Sequence, residues 1–365
     1  MKELNISKIL LDKRREKKVT QDEVAEYIGV SKAAVSKWEK GISYPDITLL
    51  PGLATYFHIS IDELLGYEPQ LPEREIQEKY REFSAMFAEQ DFFQVMEEVK
   101  QLIRKYDACY PLLFAMAQLY LNNVILLTSG EEQRRVLREA RTLCQRIVLE
   151  CQDTHLKKDA LVMEAFLYLQ EGQPQEALKL LGNKIRPSLP EDQFIAYAYQ
   201  MLGDSEKAME YLQATLYSEI VEQIDCMSLY YSIAPEEKKE ECAARLEKYI
   251  EVFSMDELVP HKIVGFYLAQ ALNGMKLGQY GKVIDFLKRY ADILEGHLSD
   301  FTIHGDPFFY AIDGWLGESG MNCQMPRDMR LIRQDLIKNV TENPVFQDIK
   351  ENPEFQAIEK RLEAI

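Results

Sequence analysis

The 365-residue sequence predicts an all-α protein in two parts: a head of five short helices over residues 1–68 and a long helical array over residues 73–365. Three observations predict it. Glycine and proline number only 17 and 14, too few to punctuate a chain of short strands with a turn every ~8–12 residues. Apolar residues make up 47% of the chain and recur at helical spacing, not in alternation. A ten-residue pattern led by glycine repeats in the second half. This apolar content supplies a core, which excludes a disordered, collagen-like or disulfide-stapled chain.

In the head, a first helix from Leu4 to about Lys17 carries Leu4, Ile6, Ile9 and Leu10, with the basic run Lys13-Arg14-Arg15 near its end. Thr20-Gln21-Asp22-Glu23 forms a capping box, in which the Thr20 hydroxyl and the Glu23 carboxylate each serve an orphan amide. The second helix starts there, turns Val24, Ala25 and Ile28 inward, and stops at a left-handed Gly29, with Val30 plugging the corner. Ser31 caps a third helix running from Lys32 to Gly41. Asp46 caps a fourth, to about Phe57, with Pro51 in its first turns. Ser60-Ile61-Asp62-Glu63 repeats the capping box before Leu64-Leu65-Gly66. Prolines 69 and 72 then mark a linker over residues 69–72.

Two helices of eight or nine residues joined by a tight turn, inside a unit of five, make a helix-turn-helix. The run from Thr20 to Gly41, followed by Tyr44-Pro45-Asp46 and Ile61-Asp62-Glu63-Leu64-Leu65-Gly66, resembles the Xre family, the Cro/C1-type repressor domain. The resemblance covers about 65 residues without a gap. It implies a lambda-repressor-like DNA-binding fold whose third helix enters the major groove. It also implies that Lys32, Ala33, Ser36 and Lys37 read bases, that Gln21, Ser31, Lys40 and Ser43 hold phosphates, and that Arg14 and Glu39 form a structural ion pair. The chemistry agrees: lysine can donate to guanine O6 and N7, serine bonds either way, and an alanine methyl can meet that of thymine. With Ala34 and Val35 turned inward, those four residues share the outer face. Trp38 is expected in the core.

In the body, Gly172 to Leu181, Gly203 to Leu212 and Gly278 to Leu287 share one pattern, with Ala177, Ala208 and Val283 at matching places. Twelve residues before these stand Ala165, Ala196 and Ala271, small residues that let paired helices cross closely. The pattern is similar to tetratricopeptide repeats of about 34 residues. Tyr168 and Tyr199 fit the aromatic place of that family, and Gly274 departs from it. Weaker copies are expected at 83–99, 113–149 and 223–253, so the body is a tetratricopeptide-like α-solenoid. Asn343-Pro344 and Asn352-Pro353 signal terminal capping helices over about 343–365. Residues 297–330 receive no role.

The first helix of each repeat lines the groove of such an array. Gln193, Tyr197 and Gln200 share one helical face, and by offset Phe166 with Leu169, and Leu272 with Met275, take equivalent places. Amides beside apolar surface suit an extended peptide. The alternative is that these side chains only pack between neighbouring helices.

The formal charge of −17 lies almost wholly in the body, while residues 8–41 are net basic, so any contact with nucleic acid comes from the head. Six cysteines lack metal or redox spacing and read as reduced thiols of a cytoplasmic protein. The start has no secretory signal. Residues 110–130 are uncharged, but Gln118, Asn122 and Asn123 argue against a membrane span. The five histidines are scattered, and no phosphate-binding or nucleophile motif occurs, so neither a metal, a cofactor nor an enzyme is expected.

The resulting expectation is a transcription regulator that binds double-stranded operator DNA as a homodimer, its repeat domain sensing a ligand. The layout resembles peptide-responsive regulators of Gram-positive bacteria. The alternative is an antitoxin-like or adaptor module, in which the repeats bind a protein partner and DNA binding only localises or autoregulates the complex.

Overall fold

A computed structural model describes residues 6–66, 70–182, 184, 190–297, 303–318 and 326–365. Among the described residues there is no strand, and every regular element is helical. The head holds α1 (Ile6–Glu16), α2 (Gln21–Ile28), α3 (Lys32–Glu39), α4 (Leu50–Phe57) and α5 (Ile61–Leu65). Its core is Ile6, Leu10, Val24, Ala25, Val35, Trp38, Leu53, Ala54, Phe57 and Leu64, all buried. The capping box at Thr20 forms in full, and Gly29 closes α2 at φ 76°, a conformation that a Cβ would strain.

Two expected starts differ in detail. Asp46 accepts from the Thr48 amide at 2.9 Å, which tightens Ile47–Leu49 into a 3-10 turn, so α4 proper begins at Leu50. At Ser60 only half of the box forms. The hydroxyl accepts from the Glu63 amide at 3.0 Å, while the Glu63 carboxylate pairs with Lys13 of α1 at 3.1 Å. A neighbouring cation outcompetes the helix's own amide.

The body contains α6 (Glu73–Glu89), α7 (Phe92–Lys105), α8 (Tyr110–Asn123), α9 (Gly130–Glu150), α10 (Thr154–Gln170), α11 (Pro174–Leu181) and α12 (Glu191–Met201). It continues through α13 (Ser205–Ile233), α14 (Glu236–Phe253), α15 (Met255–Leu258), α16 (Pro260–Lys276), α17 (Tyr280–His297), α18 (Asp313–Glu318), α19 (Met329–Thr341) and α20 (Pro353–Ala364). Residues 67–69 lie outside the described residues. Of the expected linker, Gln70 and Leu71 instead belong to the body: the Gln70 amide donates to the Ala108 carbonyl, and Leu71 packs beside Cys109.

The three glycine-led patterns each join a helix pair: α10 with α11, α12 with α13, and α16 with α17. Gly172, Gly203 and Gly278 all have φ between 66° and 81°, which is why glycine leads each pattern. Ala165, Ala196 and Ala271 on the first helices, and Ala177, Ala208 and Val283 on the second, are all buried. The departure at Gly274 has a steric cause. A Cβ there would lie 2.7 Å from Cγ2 of Val283, so glycine makes room for the valine that replaces the alanine of the other two pairs. Gly274→Ala is expected to cost about 1–3 kcal/mol by overpacking. Adding Val283→Ala should recover most of that loss in thermal unfolding.

The second helix of the middle pair does not stop where a repeat would end. Helix α13 runs for 29 residues and absorbs the first helix of the expected copy at 223–253, because nothing between Ser205 and Ile233 breaks it. The uncharged stretch begins as α8 and is core: Leu112, Leu113, Met116, Leu119 and Tyr120 are buried. Asn122 donates to the Tyr80 hydroxyl at 2.8 Å and Asn123 to the Leu119 carbonyl at 2.9 Å. No helix among the described residues is long and apolar enough to cross a membrane.

Two apolar clusters fill the body, one over residues 76–167 and one over 217–362. Residues 303–316 belong to the second: Phe309, Ile312 and Leu316 are buried, and Phe309 meets Tyr217 edge-on at 5.6 Å. The capping role expected for Asn343 and Asn352 holds, and each leads a phenylalanine, Phe346 or Phe355, into the same cluster. Helix α19 reaches back to the first helix of the body, where Arg330 pairs with Glu89 of α6 at 2.7 Å. Cys109, Cys144, Cys151 and Cys242 are free and buried, Cys226 is free and exposed, and Cys323 lies outside the described residues.

Candidate nucleic-acid interface

The outer face of α3 is built by what its inner face must do. Val35 and Trp38 point into the head core, which turns Lys32, Ala33, Ser36 and Lys37 the other way. Lys32, Ala33 and Lys37 are exposed with the whole chain in place, and Ser36 is half-buried. Ser31 caps the helix by accepting from the Ala34 amide at 3.3 Å. Lys40 and Ser43 follow on the exposed loop beyond it.

The far end of α3 is held by a buried ion pair. Arg14 of α1 donates from Nε and Nη2 to the two carboxylate oxygens of Glu39 at 2.5 and 2.9 Å. The side chains are only 16% and 4% exposed. Burial pushes the Glu39 carboxyl up, and the hydrogen bonds from Arg14 and Gln21 with the arginine charge overturn that push, leaving its pKa below the ordinary value. The bidentate pair fixes the pitch of α3 against α1. Lys17 donates to the Tyr56 carbonyl and lies over the Tyr56 ring, which ties α1 to α4 in the same way.

Sequence reasoning missed two partners. Gln21, expected on phosphate, donates its side-chain amide to Glu39 at 2.8 Å from the first position of α2. Lys32 is paired with Asp22 at 2.6 Å, across the turn between α2 and α3. Neither pairing follows from residue spacing alone, although both carboxylates stand in the same motif.

The expected ligand residues differ in exposure. Phe166 and Leu169 on α10, and Gln193, Tyr197 and Gln200 on α12, are exposed. Leu272 and Met275 pack half-buried on the C-terminal core. Helices α11 and α12 add further exposed apolar groups, Leu178, Leu181, Phe194 and Met201, between the two clusters of the body. A separate cleft of about 420 Å³ lies between α14, α16 and α17 and is lined by none of these residues. Three ion pairs line it, Lys239 with Glu236, Lys282 with Glu240, and Arg289 with Glu247, together with the carboxylate of Asp285. Among the described residues no group of three or more metal-ligating side chains occurs.

The helix-turn-helix family model matches residues 10–64. Over 55 residues the chain is 44% identical to the HTH-type transcriptional activator BcrR of Enterococcus faecalis. That match spans 15% of this chain and about a quarter of the relative, 27%. Among solved structures, similarity is found to PlcR of Bacillus thuringiensis in complex with the peptide PapR7 and DNA, at 17% identity and a TM-score of 0.27, covering 80% of this chain and 95% of that one. The apo form of the competence regulator ComR from Streptococcus vestibularis is 14% identical at a TM-score of 0.27, with 88% and 99% covered. The capped helix pair, the Arg14–Glu39 clasp and the matched sequence together make residues 10–64 of this chain a helix-turn-helix domain, followed by a body whose regular elements, among the described residues, are all helices.

Proposed function

We propose that the protein is a sequence-specific DNA-binding transcription regulator, with α3 as its reading helix and the helical body as the part that senses a ligand and holds two copies together. The observation that carries this reading is the outer face of α3, where Lys32, Ala33 and Lys37 are exposed on a helix clamped from below, Lys32 reaching only to Asp22 on the same surface. The net-basic stretch of the head supports it, since the acidic body is repelled by phosphate. One head contacts few bases, so two heads about 34 Å apart on a palindrome supply the affinity. The exposed apolar groups of α10 to α12, with the amides Gln193 and Gln200, favour an extended peptide as ligand, and action on DNA is consistent with a cytoplasmic protein.

Selection from randomised duplexes by the purified full chain tests this. Enrichment of an inverted repeat with half-sites one helical turn apart is expected, and a synthetic peptide pool should shift the affinity for it. Failure to enrich any sequence contradicts the regulator. Enrichment without any peptide effect, together with a stoichiometric protein partner in pull-downs, favours the adaptor reading.

A further inference from the structure

We propose that Asp22 is a specificity-setting residue: its carboxylate sequesters the Lys32 ammonium, so that the lysine is released to base acceptors in the major groove but not to the phosphates of unrelated DNA. The proposal rests on the DNA-binding reading of α3 and concerns a residue outside the set expected to touch DNA.

The geometry is direct. Lys32 Nζ lies 2.6 Å from Asp22 Oδ2, and the two side chains are 60% and 62% exposed. Asp22 stands in the first turn of α2, next to Gln21, where that helix presents its free amides. Lys32 is the first residue of α3. The pair therefore spans the gap between the two helix starts that approach the duplex in a helix-turn-helix.

An exposed ion pair is weak, so it does not lock the lysine. It does set a competition. A single phosphate oxygen offers Lys32 about what Asp22 already offers, one anionic acceptor, so exchanging partners on random DNA gains little. Guanine offers O6 and N7 together in a water-poor groove, and that exchange is favourable. Lys37, on the same face, has no acidic side chain bonded to it among the described ion pairs and supplies the unconditional attraction. A reader with both lysines free would bind all duplexes more tightly and distinguish them less, because phosphate attraction carries no sequence information.

The test uses the full chain as wild type, Asp22→Asn, Asp22→Glu, Lys32→Ala, Lys37→Ala and the Asp22→Asn/Lys32→Ala double variant. Each is titrated against the selected site and an unrelated duplex at several salt concentrations. Asp22→Asn is expected to bind unrelated duplex roughly fivefold more tightly at low salt, with a slope of log K against log salt steeper by about 0.9 per head. Its preference for the selected site should fall by a similar factor. Asp22→Glu, which keeps the charge, should behave as wild type, and the Asp22→Asn effect should vanish in the Lys32→Ala background. Equal effects of Asp22→Asn with and without Lys32 overturn the proposal, because they reduce Asp22 to a general negative charge. So does an unchanged slope on unrelated duplex. If Lys37→Ala also leaves both duplexes bound as before, the reading of α3 falls, and this inference with it.

Discussion

Replacing Lys32 and Lys37 together by alanine is expected to weaken binding to the selected duplex by about 2–4 kcal/mol per head, roughly 30- to 1,000-fold. The slope of log K against log salt should become shallower by roughly one for each contact that also touches phosphate. Both side chains are exposed and neither fills the core, so the folding stability should change only within the range of ordinary surface substitutions, about ±0.5 kcal/mol. Separating these two readouts matters. A loss of binding without a loss of stability places the effect at the DNA surface, while equal affinity and an equal slope in the double variant would contradict the assignment of α3.

The second large effect is on stability. Glu39→Ala leaves the Arg14 guanidinium buried without its carboxylate, a change expected to cost about 2–4 kcal/mol. In a domain whose total stability is of order 5–15 kcal/mol, that shifts the midpoint by on the order of 10–25 °C. The fluorescence of Trp38 reports it, because that ring is buried in the head, and Trp315, the other tryptophan, can be replaced by phenylalanine. The same pair sets a pH dependence. Glu39 titrates below its unfolded value in the folded head, so its contribution is complete above about pH 4.5 and is lost as the pH falls through the lower, folded value. Glu39→Ala should therefore flatten the acid limb of head unfolding. An unaltered acid limb would show that the clasp carries no stability.

Much of this architecture was legible because helix ends are decided within a few residues. Thr20, Ser31, Asn343 and Asn352 cap where their side chains can reach their own helix amides, and Gly29 stops α2 because only a residue tolerant of positive φ fits there. The repeat pairs were legible for the same reason: one glycine and two small residues at fixed spacing dictate a close crossing. What escaped depends on partners distant in sequence. Glu63 turns to Lys13 instead of its own amide, and Gln21 turns to Glu39. Val283 and Gly274 had to be seen together before the missing aromatic made sense. The long α13 hid a repeat boundary because no glycine or proline marks one. The ligand surface was the least legible part. Helical offset equates Leu272 with Phe166, yet the thick C-terminal core half-covers the first, while the alanine-lined middle of the body leaves the second open.

Dimethyl sulfate protection on the selected duplex tests the central claim most directly, since the reagent methylates guanine N7 in the major groove and adenine N3 in the minor groove. Insertion of α3 predicts guanines shielded in two successive major grooves on one side of the duplex, about 34 Å apart, with the shielding lost in the Lys32→Ala/Lys37→Ala variant. Shielding confined to adenine N3, or guanine shielding that survives the loss of both lysines, would contradict it.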